Sequence, residues 1–263
     1  MNTIILAAGM GTRMLPYTNN IPKCMVPLGE KSLLQWQLDV LRGSGADQNI
    51  VVVGGYKAEA INEPDTVLIV NQDYAACNMV ETLFCAREHM IRDQDLLICY
   101  GDIVYEPKVL EALLGSTAPI GITADRAWEK LWRLRMENPL DDAETFVTDE
   151  NGFVQELGKK PTSHDEIEAQ YMGLIYVRAD CVGRFVDEYD KMNRDALYDG
   201  RDFRNMFMTS FLQYLIDQSW SIEPRYVENG WLEMDTSEEI ELYQSMYASG
   251  ALAEYCDLAK IKS

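Results

Sequence analysis

Residues 6–13 read Leu-Ala-Ala-Gly-Met-Gly-Thr-Arg and overlap the end of an apolar run, Thr3 to Ala8, that is typical of a buried strand. Glycines at the end of a strand let backbone N–H groups approach a phosphate, because no Cβ blocks the way and a positive φ angle costs little. Arg13 and Lys23 add two cations, and Pro22 stiffens the approach to the lysine. The stretch therefore predicts an anion site at the end of the first strand.

Two common phosphate-binding patterns do not fit this stretch. A dinucleotide-binding loop would have a third glycine where Met14 stands, and a Walker loop would have Gly-Lys followed by Ser or Thr. The residues by themselves leave one structural alternative open, which is a tight turn that carries surface cations.

Apolar runs alternate with helical patterns through the first half of the chain, which predicts strand-helix-strand units in a mostly parallel α/β sheet. The predicted strands are Thr3–Ala8, Ile50–Val53, Thr66–Val70 and Leu96–Tyr100, and the predicted helices are Ser32–Leu41, Met79–Met90 and Pro107–Leu114. Gly43 and Gly45 follow the first helical pattern as stop signals.

The pattern changes after Asp125. Asn151-Gly152 lies between alternating segments of 144–157, which predicts an antiparallel hairpin that interrupts the parallel sheet. Strands Gln170–Val177 and Ile222–Val227, helices Cys181–Met192 and Phe203–Ile216, and a helix capped by Thr236 and Glu239 complete the prediction. We expect one domain over 1–263, with a nucleotide-binding half (1–125), an acceptor-binding half (126–235) and a C-terminal helical segment (236–263).

The charge balance excludes several classes of partner. The chain has 43 acidic and 23 basic residues, a net charge of -20, so it repels nucleic acid and anionic lipid wherever that charge is not locally reversed. The longest early apolar stretch, Ile4 to Ala8, is too short to span a membrane, and no basic leader precedes it. We expect a cytoplasmic protein with small-molecule partners, and the sequence leaves its oligomeric state open.

Four segments together resemble the nucleotidylyltransferases that activate sugar phosphates and other phosphorylated small molecules. Residues 6–13 with Pro22-Lys23 carry the first part of the resemblance, and it extends over most of the chain. Asp102 resembles the family's first magnesium aspartate, Lys160 its second phosphate lysine, and 231–236 (Trp-Leu-Glu-Met-Asp-Thr) its C-terminal metal segment. The resemblance implies a three-layer, Rossmann-like, mostly parallel sheet of the nucleotide-diphospho-sugar transferase type, with an antiparallel excursion on the acceptor side.

The resemblance also implies the reaction and the catalytic residues. An acceptor phosphate oxygen attacks the α-phosphorus of a nucleoside triphosphate, and pyrophosphate leaves. Arg13 would hold the β and γ phosphates, Lys23 would reach the α-phosphoryl or acceptor oxygen, and Lys160 would clamp the acceptor phosphate. Mg²⁺ would bind Asp102, Glu233 and Asp235. The expected nucleotide-binding residues are Leu6, Ala7, Ala8, Gly9, Gly11, Thr12, Asn78, Thr82 and Gly101. Lys23 is expected to be exposed and to contribute little to stability.

Residues 71–83, especially Asn78 to Leu83, resemble the phosphocholine cytidylyltransferase-like branch of the family, which implies CTP as the nucleotide. A helix N-cap is the structural alternative for Asn78. The expected acceptor-binding residues are Asp125, Trp128, Trp132, Arg133, Arg135, Tyr171 and Trp231. Trp128 and Trp132 are four residues apart and would share a helix face, where core packing is the alternative to contact with an ammonium group.

Residues 128–144 and 158–173 resemble enzymes that make CDP-glutamine from CTP and phosphorylated glutamine for the phosphoramidate decoration of bacterial capsules. Phosphocholine and aminoalkylphosphonates are alternative acceptors. A sugar-1-phosphate nucleotidylyltransferase and a non-catalytic nucleotide-binding subunit are the two further alternatives. The noncatalytic reading is disfavoured because none of the expected phosphate and metal residues is missing.

Overall fold

The computed structural model describes residues 1–262. Its helices are α1 (Leu33–Ser44), α2 (Met79–Phe84), α3 (Pro107–Leu114), α4 (Trp128–Arg135), α5 (Ala179–Lys191), α6 (Met208–Asp217) and α7 (Ser237–Ser249). Its strands are β1 (Asn2–Ala7), β2 (Pro27–Leu28), β3 (Lys31–Ser32), β4 (Asn49–Gly54), β5 (Thr66–Val70), β6 (Leu96–Tyr100), β7 (Ile103–Tyr105), β8 (Ile120–Asp125), β9 (Phe146–Thr148), β10 (Val154–Leu157), β11 (Gln170–Val177), β12 (Leu197–Tyr198), β13 (Arg201–Asp202), β14 (Ile222–Val227) and β15 (Trp231–Glu233).

A seven-stranded sheet forms the centre of the protein, in the order β14-β8-β11-β6-β1-β4-β5. Strand β1 pairs in parallel with both β4 and β6, and β8 pairs in parallel with β14. Strand β11 is antiparallel to both of its neighbours, β6 and β8. The carboxyl ends of β1, β6 and β8 therefore lie at the same sheet edge as the amino end of β11, and in open α/β sheets this is the edge where ligands bind.

Apolar side chains of the sheet alternate between two cores. In β1, Ile5 and Ala7 belong to one apolar cluster, while Ile4 and Leu6 belong to the other. The first cluster takes in buried residues of α1, α3 and α4, and the second takes in residues of α2, α5 and α6. The result is a sheet between two helical layers, which confirms the predicted three-layer, mostly parallel α/β fold.

The predicted elements agree with the structure, and the largest differences are at helix ends. Strands β5, β6, β11 and β14 and helix α3 have the predicted bounds. Helix α1 begins after a capping box made by Ser32 and Gln35 and ends at Gly45, whose φ of 74° is left-handed. The helix predicted over 79–90 ends at Phe84, and the one predicted over 203–216 begins at Met208, because a short 3-10 turn replaces the rest of each.

The hairpin lies beside the central sheet and does not interrupt it. Strands β9 and β10 pair with each other in a separate two-stranded sheet. Leu157 N, in β10, donates to Gln213 Oε1 of α6 at 3.2 Å, so the hairpin rests on that helix. The antiparallel strand inside the sheet is β11. Within residues 1–262, no helix is both long and apolar enough to cross a lipid bilayer.

Candidate active site

The loop after β1 (residues 8–13, the glycine loop) begins at the carboxyl edge of the sheet. Gly11 has a left-handed φ of 58°, and a Cβ there would lie 3.0 Å from Thr18 Cγ2 and 3.2 Å from Lys23 Cβ. Thr18 Oγ1 donates to Gly11 O at 2.8 Å, which fixes the turn. The loop therefore passes close to the stem of Lys23, as a shared anion site requires.

Asp102 lies beside this loop because Gly101 allows a close backbone approach between β6 and β1. Gly101 N donates to Leu6 O at 2.9 Å, and a Cβ on Gly101 would lie only 2.6 Å from the same oxygen. Any larger residue would push the two strand ends apart. The glycine thus sets the distance between Asp102 and the glycine loop.

The C-terminal metal segment reaches Asp102 by strand pairing. Strand β15 pairs antiparallel with β7, which places Glu233 opposite Ile103, and Met234 N donates to Asp102 O at 3.2 Å. One carboxylate oxygen from each of Asp102, Glu233 and Asp235 lies within 4.8 Å of the others. The three predicted metal ligands therefore form one group, which we call the carboxylate cluster.

The carboxylate cluster has the properties of a divalent cation site. Asp102 Oδ1 is buried and accepts no hydrogen bond from residues 1–262, so it is free to act as a ligand. Burial and the charge of Asp235 raise the pKa of Glu233 above its usual range, although Arg135 opposes the shift. Hard carboxylate oxygens on separate elements are the ligands that Mg²⁺ prefers. These residues fit such an ion.

The Lys23 ammonium lies between two of these carboxylates. Its Nζ is 2.6 Å from Asp102 Oδ2 and 2.5 Å from Asp235 Oδ1, and the side chain is only 14% exposed. Burial would lower the pKa of Lys23, but the carboxylates of Asp102 and Asp235 outweigh it and raise the pKa above its usual value. The expectation of an exposed lysine is therefore wrong. Removing Lys23 would take the ammonium partner from Asp102 and one of three cationic partners from Asp235, so we expect a loss of stability.

Two arginines complete this charged group. Arg13 Nη2 lies 3.3 Å from Asp235 Oδ1, and its side chain is largely exposed. Arg135, predicted to bind the acceptor, is instead 2% exposed and pairs with Glu233, Asp235 and Glu239. Its guanidinium is occupied by these carboxylates and is not free to bind an acceptor carboxylate.

A cleft of about 630 Å³ opens beside the glycine loop (the nucleotide cleft). Its lining includes the predicted residues Leu6, Ala7, Ala8, Gly9, Lys23, Asn78, Thr82, Gly101 and Asp102. Asn78 is also the N-cap of α2, since its Oδ1 accepts from Met79 N at 2.8 Å, while its Nδ2 donates to Asn205 O. The N-cap interpretation is confirmed, and contact of Asn78 with the nucleotide base stays a prediction, which its position in the cleft lining allows. Gly11, Thr12 and Arg13 continue the loop beyond the lining residues.

The cleft lining also includes four residues that were not predicted to bind the nucleotide, namely Cys24, Tyr74, Cys77 and Met79. Cys77 Sγ accepts from Asn71 Nδ2 at 3.2 Å, and the same amide nitrogen donates to Thr82 Oγ1 at 3.0 Å. Cys77 and Met79 flank Asn78, so their position in the chain was the available signal. Tyr74 lies at the start of the same segment, 71–83, and reaches the cleft through the turn before α2.

A second pocket of about 680 Å³ (the acceptor pocket) lies on the other side of the carboxylate cluster. It is lined by Met79, Tyr100, Trp132, Asp142, Glu144, Gln170, Tyr171, Phe207, Met208, Thr209, Glu233 and Asp235. Burial and the carboxylates of Asp142 and Asp199 raise the pKa of Glu144 to about 7. The Gln170 amide accepts from Glu144 N and donates to Glu144 O, which holds that residue in place. Acids and aromatic rings in one pocket favour a cationic ligand.

Only Trp132 and Tyr171 of the predicted acceptor residues line this pocket. Asp125 is fully buried and accepts from Trp231 Nε1 at 2.9 Å and from two backbone amides, so the pair Asp125 and Trp231 serves the interior. Trp128 is buried against Trp132 and His164. Arg133 is exposed and pairs with Glu129 one helical turn away. The prediction that these four residues bind the acceptor is therefore wrong. Arg133 lies on the outer face of α4, and the other three are buried away from the pocket.

Lys160 lies on an exposed loop at the acceptor side. Its Nζ donates to the carbonyl oxygens of Leu140 at 2.5 Å and Asp141 at 2.7 Å, immediately before Asp142 of the acceptor pocket. The structure therefore places Lys160 next to the pocket wall, and no carboxylate among residues 1–262 pairs with it.

The sequence is similar to those of known nucleotidyltransferases. A family model described as a MobA-like NTP transferase domain matches residues 3–132. The chain is 39% identical over 251 residues to CTP:phosphoglutamine cytidylyltransferase of Campylobacter jejuni, a match that covers 92% of this chain and 98% of the relative. It is 37% identical over 93 residues to choline-phosphate cytidylyltransferase of Streptococcus pneumoniae, covering 34% of this chain and 41% of that protein.

The fold also matches a solved structure at low sequence identity. CTP:phosphocholine cytidylyltransferase from Streptococcus pneumoniae superposes with a TM-score of 0.68 at 18% identity, over 94% of this chain and 98% of that one. This likeness supports the α/β architecture.

Proposed function

Because this chain belongs to the cytidylyltransferases among the MobA-like nucleotidyltransferases, we propose that it transfers CMP from CTP to phosphorylated L-glutamine. The products are CDP-L-glutamine and pyrophosphate. An oxygen of the acceptor phosphate forms a bond to the α-phosphorus, and the bond from that phosphorus to the bridging oxygen of the β-phosphate breaks. The electron pair leaves with pyrophosphate.

One observation carries the proposal. The Lys23 ammonium joins Asp102, which lines the nucleotide cleft, to Asp235, which lines the acceptor pocket. The two pockets therefore meet at a point where a buried cation stands between them. Since both reactants are anions, the barrier is largely their repulsion and the charge that develops on the transferred phosphoryl group. Lys23 is positioned to offset that charge.

The residues around this point divide the remaining work. The glycine loop offers backbone N–H groups to the β and γ phosphates, and Arg13, at the edge of the carboxylate cluster, adds an exposed cation. Lys160 reaches the acceptor phosphate from the loop beside Asp142. Mg²⁺ held by Asp102, Glu233 and Asp235 would neutralise phosphate charge and orient the triphosphate. No general base is required, because a phosphate oxygen is already ionised near neutral pH.

The preference for CTP rests on the wall of the nucleotide cleft. Asn78 and Thr82 lie there on adjacent turns, and Asn78 Nδ2 donates to Asn205 O over a long 3.3 Å, which is a weak bond that a base could replace. A cytosine offers both a carbonyl acceptor and an amino donor to such side chains. We assign 1–125 to nucleotide binding and 126–235 chiefly to the acceptor, with 236–263 supporting the carboxylate cluster.

The acceptor assignment combines the 39% identical relative with the chemistry of the acceptor pocket. Asp142 and Glu144 would bind the α-ammonium group of glutamine. Arg133 and Arg135 are not available for its carboxylate, so the donors that remain in the pocket lining are the hydroxyl groups of Thr209, Tyr100 and Tyr171 and the indole of Trp132. Tyr171 Oη and Trp132 Nε1 are buried and have no partner within residues 1–262. By sequence resemblance, we further propose a cytoplasmic enzyme that supplies capsule phosphoramidate synthesis.

The direct test is a pyrophosphate-release screen. It combines each of the four NTPs with phosphorylated glutamine, phosphocholine, 2-aminoethylphosphonate and hexose-1-phosphates. We expect the highest kcat/KM for CTP with phosphorylated glutamine. A higher value for another acceptor would overturn the acceptor assignment, a higher value for another NTP would overturn the CTP assignment, and no release from any pair would favour a non-catalytic subunit.

A further inference from the structure

Arg135 ends helix α4 with its side chain only 2% exposed. Each guanidinium nitrogen pairs with a different carboxylate: Nη1 with Glu233 at 2.9 Å, Nη2 with Asp235 at 3.3 Å, and Nε with Glu239 at 2.6 Å. Two of these acids belong to the carboxylate cluster. An arginine fork is planar and rigid, so three such contacts fix the relative orientation of the three acids.

Glu239 extends this arrangement to the backbone. Its Oε2 accepts from Asp235 N at 2.6 Å and from Thr236 N at 3.1 Å, as the third residue of the capping box that begins α7. Arg135 thus holds the Asp235 side chain directly and its backbone through Glu239. The segment between β15 and α7 is anchored from both sides.

Helix α4 gives this anchor a rigid base. The Arg135 guanidinium lies 5.2 Å from the ring of Trp132, which is buried and lines the acceptor pocket. Burial without compensating acids would oppose the arginine charge, whereas Glu233 and Glu239 raise the pKa of Arg135 further above its usual value. The cation is permanent, and its neighbours leave it little freedom to move.

From this geometry we infer that Arg135 is a positioning residue, which together with Glu239 sets Glu233 and Asp235 in the orientation that binds the divalent ion. The inference rests on the proposed metal site. All three ion pairs of the Arg135 guanidinium are with carboxylates of the protein, so the side chain is not free to bind a substrate. Its effect on turnover is therefore exerted through Glu233 and Asp235.

The test compares Arg135→Lys with Arg87→Lys in the full-length protein. Arg87 forms an exposed two-bond fork with Asp190, so its replacement loses the same geometry away from the carboxylate cluster. Mn²⁺ binding is measured by electron paramagnetic resonance, with pyrophosphate release and thermal unfolding in parallel. Arg135→Lys should weaken Mn²⁺ binding about tenfold and lower kcat, as loss of a residue that orients a metal ligand does. Arg87→Lys should match the wild type in both.

Glu239→Gln keeps the oxygen that caps α7 and removes one charge from the fork, so it provides a second variant if Arg135→Lys does not fold. We expect it to weaken Mn²⁺ binding in the same direction by a smaller factor. Wild-type Mn²⁺ affinity in the folded variants would overturn the inference while leaving the metal site intact. Failure of the wild type to bind Mn²⁺, with or without CTP, would instead overturn the metal site on which the inference rests.

Discussion

The nucleotide cleft and the acceptor pocket have similar volumes, about 630 and 680 Å³, but different walls. The nucleotide cleft is lined by small residues at strand ends, such as Ala7, Ala8, Gly9 and Gly101, and by one charged pair, Lys23 with Asp102. The acceptor pocket is lined by aromatic rings and acids, and within its described lining no lysine or arginine occurs. The walls differ because the tasks differ. The nucleotide cleft is suited to hold phosphates through the backbone, and the acceptor pocket is suited to select an acceptor through side chains.

The positive charge needed by both substrates lies at the junction of the two pockets. Lys23 and Arg13 contact Asp235 there, and Arg135 lies beneath it. A chain with a net charge of -20 would otherwise repel a triphosphate. Removing a charge at the junction should therefore have a larger effect than removing one from either pocket wall.

Lys23→Ala should have the largest effect. We expect kcat to fall by about a thousandfold, as loss of a preorganised group at a developing charge does. Thermal stability should fall as well, because Asp102 and Asp235 lose their shared ammonium. Pyrophosphate release and thermal unfolding measure the two effects.

Lys191→Ala is the control for that measurement, since it removes an exposed lysine that pairs with Glu188 on the surface of α5. It should leave turnover and stability unchanged. Wild-type turnover in Lys23→Ala would show that the junction is not where the phosphates react.

Asp102→Asn should have the next largest effect. The variant keeps the size of the side chain but loses the charge that a divalent ion needs, so we expect the Mg²⁺ concentration for half-maximal turnover to rise by about a hundredfold. A magnesium titration of pyrophosphate release measures this, with Asp190→Asn, which changes an exposed surface pair, as the control. Identical titration curves for Asp102→Asn and the wild type would contradict the metal assignment.

The sequence predicted the nucleotide cleft better than the acceptor pocket for a physical reason. The cleft is built from short runs of adjacent residues, and the longest run, Leu6 to Gly9, lies at the end of β1, where the backbone itself makes the site. Gly11 and Gly101 are readable because close approach permits no larger residue. Most strands and helices were readable from their periodicity, which is a local property, but strand β8 of the central sheet was not predicted.

The acceptor pocket depends on contacts between distant segments. Glu144, Gln170 and Phe207 meet there from three separate parts of the chain. Each belongs to a predicted hairpin, strand or helix, but none lies in a motif that indicates ligand binding. Asp125 and Trp231, which did look functional in sequence, satisfy each other in the interior. Residue type alone could not distinguish a buried hydrogen bond from a ligand contact.

Glu144→Gln should have a smaller, selective effect. The variant loses a charge-assisted contact with the acceptor ammonium. We expect the acceptor KM to rise about tenfold, with little change in the KM for CTP. Because burial raises the pKa of Glu144 to about 7, the wild-type acceptor KM should also rise as the pH falls below that value. Glu144→Gln should lack this component. Equal pH profiles for the two proteins would contradict the ammonium contact.

The same variant should be more stable than the wild type above neutral pH. The folded-state pKa of Glu144 lies above its ordinary value of 4.5, so the ionised carboxylate costs stability once the pH rises through the interval from 4.5 to about 7. Glutamine removes that cost, and the difference in Tm should shrink in acid. Glu156→Gln, at a half-buried surface pair with Lys159, is the control. A gain in stability with a loss of acceptor affinity is expected of a residue kept for binding.

Lys160→Ala should have the smallest effect, and its salt dependence separates it from Lys23. The Lys160 ammonium is exposed and donates to neutral carbonyl groups, so its attraction to an acceptor phosphate is screened by salt. We expect acceptor kcat/KM to fall about two- to fivefold at low ionic strength and to approach the wild-type value at high ionic strength. Lys159→Ala, which removes the same charge one residue away, should change little.

The Lys23→Ala defect should persist at every salt concentration, because that ammonium lies between half-buried carboxylates. The expected result would be contradicted if Lys160→Ala lost as much acceptor kcat/KM as Lys23→Ala and the loss did not depend on salt. The acceptor side would then hold a buried cation of its own.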